Sequence, residues 1–301
     1  MPDFRLDNPP TVRDIQNKIL EIAKYIDALC RGNGIEYCIA AGTALGAVRH
    51  GGVIPWDDDL DIFMTPYQYR KFKDAFAAEA PDKFVLQEWF VADDALERAK
   101  VRMNGTTFIE EVTQNRKDIH QGIFVDIFLL HKVPENRLIQ KWVYFLAKFA
   151  TLYAISNRNW KPKTRGQALA VRALRFLPCR RLANLAYHFI GKYDGMTGNF
   201  KYFHWVTKFR FERGLFAAAH CFPVSDIPFE DATLLAPKDV RKMLEALYGD
   251  YMQLPSEKER QAAVHAMFAD VDRDFTSYIE GVPPLGGCLQ AVRLSQSGAA
   301  R

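Results

Sequence analysis

The chain has 301 residues, of which 49% are hydrophobic, 13% aromatic and 25% charged. This composition excludes the disordered and fibrous classes, and the length suffices for one elaborated domain or two with a sizeable core. The formal net charge of +4 is mild and does not select a class of partner, and no nucleic-acid partner is expected.

The N-terminal elements are predicted to be a helix, a strand, a short helix and a second strand. An apolar stripe at helical spacing predicts a first helix that ends near Gly32: Ile15, Ile19, Ile22, Ile26 and Leu29. The β-formers at 35–40 predict a strand, Gly-Thr at 42–43 opens a helix-compatible stretch, and Gly-Gly at 51–52 interrupts it. The sequence LDIFM at 60–64 predicts the next strand.

The following helix is predicted to have Thr65 as its N-cap and Pro66 in its first turn, with Phe72 and Phe76 on its buried side. Four segments of strand length come next, each bounded by Gly, Pro, Asn or Asp: 83–89, 99–103, 107–112 and 122–128. The first half of the chain is therefore predicted to be a mixed α/β unit.

The character of the sequence changes at about residue 136. No Asp or Glu occurs between Asn136 and Tyr193, whereas twelve Lys or Arg do, so this segment carries +12 and the rest of the chain −8. Residues 142–155 are helix-like and apolar nearly all round, but shorter than the roughly 20 residues of a membrane-spanning helix. Two interpretations stay open for 136–193: a buried helix beside a solvated basic face, or a segment on an anionic membrane surface near a lipid-linked acceptor.

The last third is predicted to contain a helix that Pro237 begins and Gly249 ends. Its apolar face consists of Val240, Met243, Leu244 and Leu247. After about residue 281 the sequence is rich in Gly, Pro and Ser, which predicts a frayed tail.

Five widely spaced cysteines form no CxxC pair and no zinc motif, so neither a disulfide framework nor a structural zinc site is predicted. The N-terminal segment MPDFRLDNPP lacks the apolar core of a signal peptide. We expect a reducing, cytoplasmic location, at the inner face of the cytoplasmic membrane if the basic segment binds lipid.

Four carboxylates crowd the segment GTALGAVRHGGVIPWDDDLDIFM at 42–64: Asp57, Asp58, Asp59 and Asp61. Residues two apart in a strand share a face, so Asp59 and Asp61 are expected to form a site for a hard cation. Mg²⁺ (or Mn²⁺) suits it, because Mg²⁺ takes one or two carboxylates and completes its shell with water and phosphate. Asp126 is expected to join from a neighbouring strand, because a lone buried carboxylate is costly. The alternative is a solvated acidic turn, and Asp58 is expected to have a structural role.

A phosphate cradle is predicted at the start of the short helix, where Gly42 and Thr43 would offer backbone N–H groups. Arg49 and His50 would add positive charge. The alternatives are a salt bridge from Arg49 to an aspartate and a loop or core hydrogen bond for His50.

Lys100 and Arg102 alternate with an apolar residue and are expected to share one face, either toward a diphosphate or on a solvated side of the sheet. The sequence contains no P-loop, dinucleotide-binding fingerprint, nucleophile elbow or kinase motif set. Phosphate chemistry is therefore expected to depend on the metal.

Three blocks together resemble the LicD family: AAGTALGAVRHGGVIPWDDDLDIFM at 40–64, GIFVDIF at 122–128 and IPFEDATLLAPKDVRKMLEALYGDYMQLP at 227–255. The resemblance implies an α/β (α+β) fold with a nucleotidyltransferase-like mixed sheet flanked by helices, here with an additional mainly helical basic region. It also implies transfer of a substituted phosphate from a CDP-activated donor to a glycan hydroxyl. Bacterial members are similar to phosphocholine transferases that act on lipopolysaccharide, teichoic acid or capsule, and fukutin-related proteins use CDP-ribitol.

By position in these blocks, Asp59 and Asp61 match the family's metal-binding acids, and Asp57 matches the acid just before them. Asp126 matches the acid of the second block. The resemblance implies metal-dependent transfer of phosphocholine from CDP-choline to a cell-surface glycan or lipid-linked glycan, with release of CMP. Asp126 or Asp57 would accept the proton of the acceptor hydroxyl. Three alternatives stay open: a CDP-ribitol or CDP-glycerol donor, a nucleotidyltransferase that uses a nucleoside triphosphate, and a non-catalytic glycan- or membrane-binding module.

The expected organisation is a nucleotidyltransferase-like catalytic core over 1–135 and a basic helical insertion over 136–195. The C-terminal part of the LicD-like domain is expected over 196–280 and a flexible tail over 281–301.

Overall fold

The computed structural model describes residues 9–88, 98–111, 113–114, 116, 119–156, 164–176, 179–204, 211–261 and 263–278. In this part of the chain the helices are α1 Val12–Gly32, α2 Ala41–His50, α3 Pro66–Glu79, α4 Arg137–Ser156, α5 Arg165–Phe176, α6 Cys179–Gly191, α7 Ala218–Cys221, α8 Val240–Tyr248 and α9 Glu257–Gln261. The strands are β1 Cys38–Ile39, β2 Asp61–Met64, β3 Phe84–Gln87, β4 Arg98–Met103, β5 Thr107–Glu110, β6 Phe124–Leu129, β7 His131–Pro134, β8 Phe200–Phe203, β9 Leu215–Ala217, β10 Ser225–Phe229, β11 Ala232–Ala236 and β12 Ala266–Asp270.

A five-stranded sheet with the order β1-β2-β6-β4-β3 forms the centre of the fold. β2 and β6 run parallel, and the other neighbouring strands are antiparallel. The register places Asp61 beside Asp126 across β2 and β6, and Lys100 beside Asp126 across β4 and β6. This mixed sheet with flanking helices confirms the predicted fold class.

Local sequence chemistry sets the ends of α1 and α3. Thr11 caps α1 and forms a capping box with Asp14, and the predicted isoleucine stripe of α1 is buried in the main core. Thr65 caps α3 by accepting a hydrogen bond from the N–H of Gln68, with Pro66 in the first turn. Phe72 and Phe76 are buried, so both helices are confirmed.

The predicted strands form, but one of them leaves the central sheet. β3, β4 and β6 lie side by side in it, whereas β5 pairs antiparallel with β12 near the other end of the chain. The strand predicted over 35–40 is limited to Cys38–Ile39, which pairs with Phe63 and Ile62 of β2. The last residues of the segments 83–89 and 107–112 lie outside the described residues.

The helix predicted to begin at Pro237 starts later, at Val240. The backbone N–H groups of Lys238 and Asp239 donate to carbonyl oxygens of α7, and Asp239 has non-helical backbone angles, φ −122° and ψ 78°. The Asp239 carboxylate caps the helix by accepting from the N–H of Lys242, 3.0 Å away. Gly249, with φ of +75°, ends α8 as predicted.

The basic region is helical in its described residues. α4 and α6 pack around a separate apolar cluster with Val133 of β7 and Phe203 of β8. β7, β8 and β9 form a three-stranded antiparallel sheet beneath these helices. No helix in the described ranges combines the length and the apolar character that crossing a bilayer requires. The predicted domain boundaries at residues 135, 195 and 280 remain predictions. The predicted C-terminal tail, 281–301, lies outside the described residues.

Candidate active site

The loop that carries the acidic cluster is held by buried groups of other elements. Gln16 on α1 is 3% exposed, and its side-chain amide donates to the carbonyl oxygens of Ile54, 3.0 Å away, and Asp57, 2.8 Å away. Glu230, in the turn between β10 and β11, accepts from the N–H of Val53 at 3.1 Å. The loop therefore enters β2 in a defined conformation.

The start of α2 packs directly against this loop. A Cβ atom added at Gly42 would lie 2.9 Å from Oδ2 of Asp57, so only glycine fits without a shift. The hydroxyl of Thr43 accepts from the backbone N–H of Asp61 at 2.8 Å. Gly42 and Thr43 thus position two of the carboxylates, and phosphate binding by their N–H groups stays a prediction.

Asp61 and Asp126 meet across the parallel strands, with Lys100 beside them. Nζ of Lys100 lies 2.9 Å from Oδ1 of Asp126 and 3.7 Å from Oε2 of Glu110. Nη1 of Arg98 lies 3.4 Å from Oδ2 of Asp126. Burial lowers the pKa of Lys100 to about 8, against the opposing effect of Asp126 and Glu110. The charge of Asp126 is therefore balanced from within the protein.

A second group of possible metal-ligand atoms lies beside the acidic loop. Among the described residues, one side-chain atom each of Asp57, Asp59 and His265 lies within 4.8 Å of the others. Nδ1 of His265 lies 3.5 Å from Oδ2 of Asp59. The metal ligands predicted from the sequence were Asp59, Asp61 and Asp126, so Asp59 belongs to both sets.

Asp58 is buried and holds the His265 side of this group. Its carboxylate accepts from the N–H groups of His265, 2.9 Å away, and Ala266, 2.8 Å away, and contacts Nδ1 of His265 at 3.1 Å. These bonds attach the start of β12 to the acidic loop, in line with the structural role expected for Asp58. The same contact raises the pKa of His265 to about 9, with burial acting in the opposite direction and Asp59 adding to the rise.

The electrostatics of the cluster indicate a deficit of positive charge. Burial raises the pKa of Asp57 and Asp61 well above the usual range, and the neighbouring carboxylates, Asp59 first, raise it further. The pKa of Asp59 is raised by burial as well, although His265 and Lys100 counteract the increase. Grouped carboxylates that are difficult to ionise together fit a divalent cation, whose charge would stabilise all of them.

Arg49 and His50 lie next to the acidic loop around the ring of Trp56. The guanidinium of Arg49 lies 6.0 Å from the ring centroid and donates to the carbonyl oxygen of Tyr251 at 3.0 Å. The His50 ring meets Trp56 edge-on at 5.6 Å, and burial and Arg49 lower the pKa of His50. Arg260 of α9 lies over the same ring at 5.2 Å.

Arg102 lies on the same face of β4 as Lys100 but is held elsewhere. Its Nη1 donates to the carbonyl oxygen of Gly122 at 2.7 Å, its Nε donates to Gln87, and the residue is 2% exposed. Its guanidinium lies 4.8 Å from the centroid of the Phe124 ring. The structure therefore brings Lys100, but not the guanidinium of Arg102, into ion-pair contact with Asp126.

Three residues near the cluster had not been predicted as site residues: His265, Arg260 and Tyr248. The pKa of Tyr248 is raised by burial and then by Asp61, Asp57 and Asp59, which places its hydroxyl near all three carboxylates. Tyr248 lies in the third block that resembles the LicD family. His265 and Arg260 lie about 200 residues from the acidic loop in sequence, and no local pattern marks them.

Comparison with known proteins bears on this geometry. Residues 34–154 match the family described as "LicD/FKTN/FKRP, nucleotidyltransferase domain". The lipopolysaccharide cholinephosphotransferase LicD of Haemophilus influenzae is 26% identical over 255 residues, which cover 83% of this chain and 95% of that protein. The ribitol 5-phosphate transferases FKRP of mouse and human are 43% identical over 42 residues, which cover 14% of this chain and 8% of those proteins.

The matched range contains the acidic loop, β2 and β6, and hence Asp57, Asp59, Asp61 and Asp126. The mixed sheet observed here agrees with a nucleotidyltransferase domain. Residues 34–154 therefore resemble the LicD/FKTN/FKRP nucleotidyltransferase domain, and the similarity to the Haemophilus LicD protein extends over 83% of the chain.

Proposed function

We propose that this protein transfers phosphocholine from CDP-choline to a hydroxyl group of a cell-surface glycan or lipid-linked glycan and releases CMP. The observation that carries the proposal is the carboxylate cleft of Asp57, Asp59, Asp61 and Asp126 inside a LicD-family domain. Similarity along most of its length to a cholinephosphotransferase supports phosphocholine as the group transferred. We place the reaction at the inner face of the cytoplasmic membrane, where a lipid-linked acceptor would be within reach.

The cleft suits a divalent cation, and we propose Mg²⁺ (or Mn²⁺). The carboxylates of Asp57, Asp59 and Asp61 would hold it, since oxygen ligands are those that Mg²⁺ prefers. His265 is less suited as a ligand, because its Nδ1 already contacts the carboxylate of Asp58 at 3.1 Å. When bound, the cation would neutralise charge on the donor diphosphate as the bond to CMP breaks.

The remaining groups of the site would bind and orient the donor. Arg49 and Arg260 flank Trp56 at the edge of the acidic loop, and Nε of Arg260 is buried without a hydrogen-bond partner among the described residues. Guanidinium groups bind phosphate oxygens well. We propose that these two arginines, together with the N–H groups after Gly42, hold the diphosphate.

The transfer itself would be an in-line displacement at the phosphorus that bears choline. The acceptor hydroxyl oxygen forms the new P–O bond, the bond from phosphorus to the bridging oxygen of CMP breaks, and CMP leaves with that oxygen. Asp57 or Asp126 would take the hydroxyl proton. Asp126 is held by ion pairs with Lys100 and Arg98.

CMP release tests the proposal. The purified protein would be incubated with Mg²⁺ and, in separate reactions, CDP-choline, CDP-ribitol, CDP-glycerol or CTP. We expect metal-dependent release of CMP from CDP-choline, and a loss of about a hundredfold or more in Asp61→Asn with an unchanged melting temperature. Asp74→Asn on the exposed face of α3 removes the same charge far from the cleft and should behave as wild type.

The other donors distinguish the alternatives. CMP release from CDP-ribitol or CDP-glycerol alone would mean that the same site uses a different donor. CDP-ribitol is the second candidate, because the chain has a short match to ribitol 5-phosphate transferases. Diphosphate release from CTP would indicate nucleotidyl transfer instead. No reaction and no thermal stabilisation with any donor plus Mg²⁺ would contradict an enzymatic role and favour a non-catalytic binding module.

A further inference from the structure

We infer that the outer faces of α4 and α6 bind the surface of an anionic phospholipid bilayer. The inference deepens the proposed function by naming the surface that would hold the enzyme at a lipid-linked acceptor. It rests on residues outside the cleft, so lipid binding and transfer can be tested separately.

α4 carries an exposed apolar stripe on its outer side. Leu138, Trp142 and Phe145 follow one another at helical spacing and are 78%, 55% and 59% exposed. The rings of Trp142 and Phe145 stack with centroids 5.7 Å apart. The opposite side of the helix is buried in the apolar cluster through Val143 and Ala147, so the stripe is not part of the core.

α6 repeats this arrangement. Leu182, Leu185 and Phe189 lie at positions i, i+3 and i+7 and are between 41% and 50% exposed. Ala186 and Ile190, each one position after an exposed residue of this stripe, are buried in the apolar cluster. Most of the large apolar side chains that are exposed in the described part of the chain therefore lie on α4, α5 and α6.

Positive charge surrounds the stripes. The exposed cations on the three helices include Arg137, Lys141, Arg165, Arg172 and Arg181. No acidic residue occurs between residues 136 and 193, so none of these cations has a carboxylate partner on its own helices. Exposed Trp, Phe and Leu flanked by Arg and Lys are the features of a helix that lies in the membrane interface. Anionic headgroups supply the missing negative charge.

Two observations favour a bilayer surface over other occupants. No helix in the described residues is suited to crossing the membrane, so these faces would lie on the bilayer. A second copy of the chain would bring its own exposed cations, among them Arg137, Lys141 and Arg181, against the same residues of the first copy, and like charges at close range repel. An anionic lipid surface has the complementary charge and accepts apolar side chains between its headgroups.

Vesicle sedimentation of the full chain tests the inference. One set of vesicles contains phosphatidylglycerol and phosphatidylcholine, and the other contains phosphatidylcholine alone. The apolar variant combines Leu138→Ser, Trp142→Ser and Phe145→Ser, with Tyr67→Ser on α3, where the side chain is 61% exposed, as its control. The charge variant combines Arg137→Gln and Lys141→Gln. Its control combines Arg241→Gln and Lys258→Gln, which remove two exposed cations elsewhere.

We expect binding to the anionic vesicles that weakens with added salt, and about tenfold or greater loss of affinity in the apolar and charge variants. The controls should bind as wild type, and all variants should keep their melting temperature. Equal binding to both kinds of vesicle, or wild-type binding by the apolar variant, would overturn the inference. So would a stable dimer that forms without lipid and is abolished by the apolar variant. CMP release from soluble CDP-choline, measured on the same variants, reports separately on the proposed function.

Discussion

Gly42 is the residue of α2 that packs against the carboxylate of Asp57. A methyl group there would lie 2.9 Å from Oδ2 of Asp57, which is closer than a carbon atom normally approaches an oxygen. Gly166, near the start of α5, offers a contrast, because a Cβ atom at that position would meet no atom within 4 Å. A comparison of Gly42→Ala with Gly166→Ala therefore separates the effect of the contact with Asp57 from the general preference of helices for alanine.

The change Gly42→Ala should lower the rate of CMP release by about tenfold or more, which corresponds to about 1.4 kcal/mol of transition-state stabilisation. The reason is that the new methyl group displaces the Asp57 carboxylate. The melting temperature should change little, because alanine favours the helix by about 0.5–1 kcal/mol and offsets part of the contact. Steady-state kinetics and thermal unfolding would measure both. Gly166→Ala should leave CMP release unchanged, and wild-type activity in Gly42→Ala would show that Asp57 tolerates displacement.

Residues that are close in sequence could be predicted as one site, whereas distant ones could not. Asp57, Asp59 and Asp61 lie within five positions, so their proximity could be predicted, although β2 begins only at Asp61 and Asp59 lies in the loop before it. Asp126 could be predicted only because a carboxylate in an apolar strand requires a partner. His265 and Tyr248 approach the cluster through pairing and packing of elements far along the chain, and nothing in their own neighbourhoods indicates it.

At the scale of elements, β12 connects the C-terminal part of the chain to the site. It pairs with β5, and its first residues are bound by the buried carboxylate of Asp58. The ring of His265, at the entry of β12, adds a contact of 3.1 Å to the same carboxylate. The hydrogen bond to Asp58 raises the pKa of His265 to about 9, from an unfolded value of about 6.5. The folded protein therefore holds a proton that the unfolded chain releases between these pH values.

The stabilisation from this contact should be fully present below about pH 6.5 and disappear as the pH rises through about 9. We expect His265→Gln to lower the free energy of unfolding by about 1 kcal/mol at pH 6 and to have no effect at pH 10. The effect at pH 6 is small because the side chain is 44% exposed and water screens the ion pair. Urea unfolding of both proteins at several pH values would measure the difference. His188→Gln on the exposed face of α6 serves as the control. A difference that does not depend on pH would contradict the ion pair.

Elements whose ends depend on local chemistry were predicted best. The caps Thr11 and Thr65 and the apolar stripes of α1 and α3 act within one or two helical turns. The pairing of β5 with β12 depends on residues about 160 positions apart, and a strand pattern does not name its partner. The contact between α7 and the residues before α8 is likewise not local, because the N–H groups of Lys238 and Asp239 donate to carbonyl oxygens of α7.

At the scale of the whole molecule, the basic helices pack around an apolar cluster of their own. Their apolar cluster contains residues of α4, α6, β7 and β8 and is separate from the main core around the central sheet. The antiparallel register of β7 and β8 places Pro134 beside Phe200, so the chain leaves the core and re-enters it at adjacent positions. The helical insertion predicted over 136–195 falls between these two points. This arrangement suggests that the insertion and the catalytic cleft can be separated.

Replacement of residues 136–198 by a short turn should therefore leave the central sheet folded and join β7 and β8 as a hairpin. Val133 and Phe203 would be changed to Thr, because removal of the helices exposes both side chains. We expect this variant to keep CMP release from CDP-choline within about tenfold of wild type, since no cleft residue is removed, and to lose binding to anionic vesicles. Circular dichroism would verify the fold, and the Asp61→Asn change in the same variant would show that the remaining activity comes from the cleft. Loss of the fold would mean that the basic helices are part of the catalytic unit, whereas retained vesicle binding would place the lipid contact on the core.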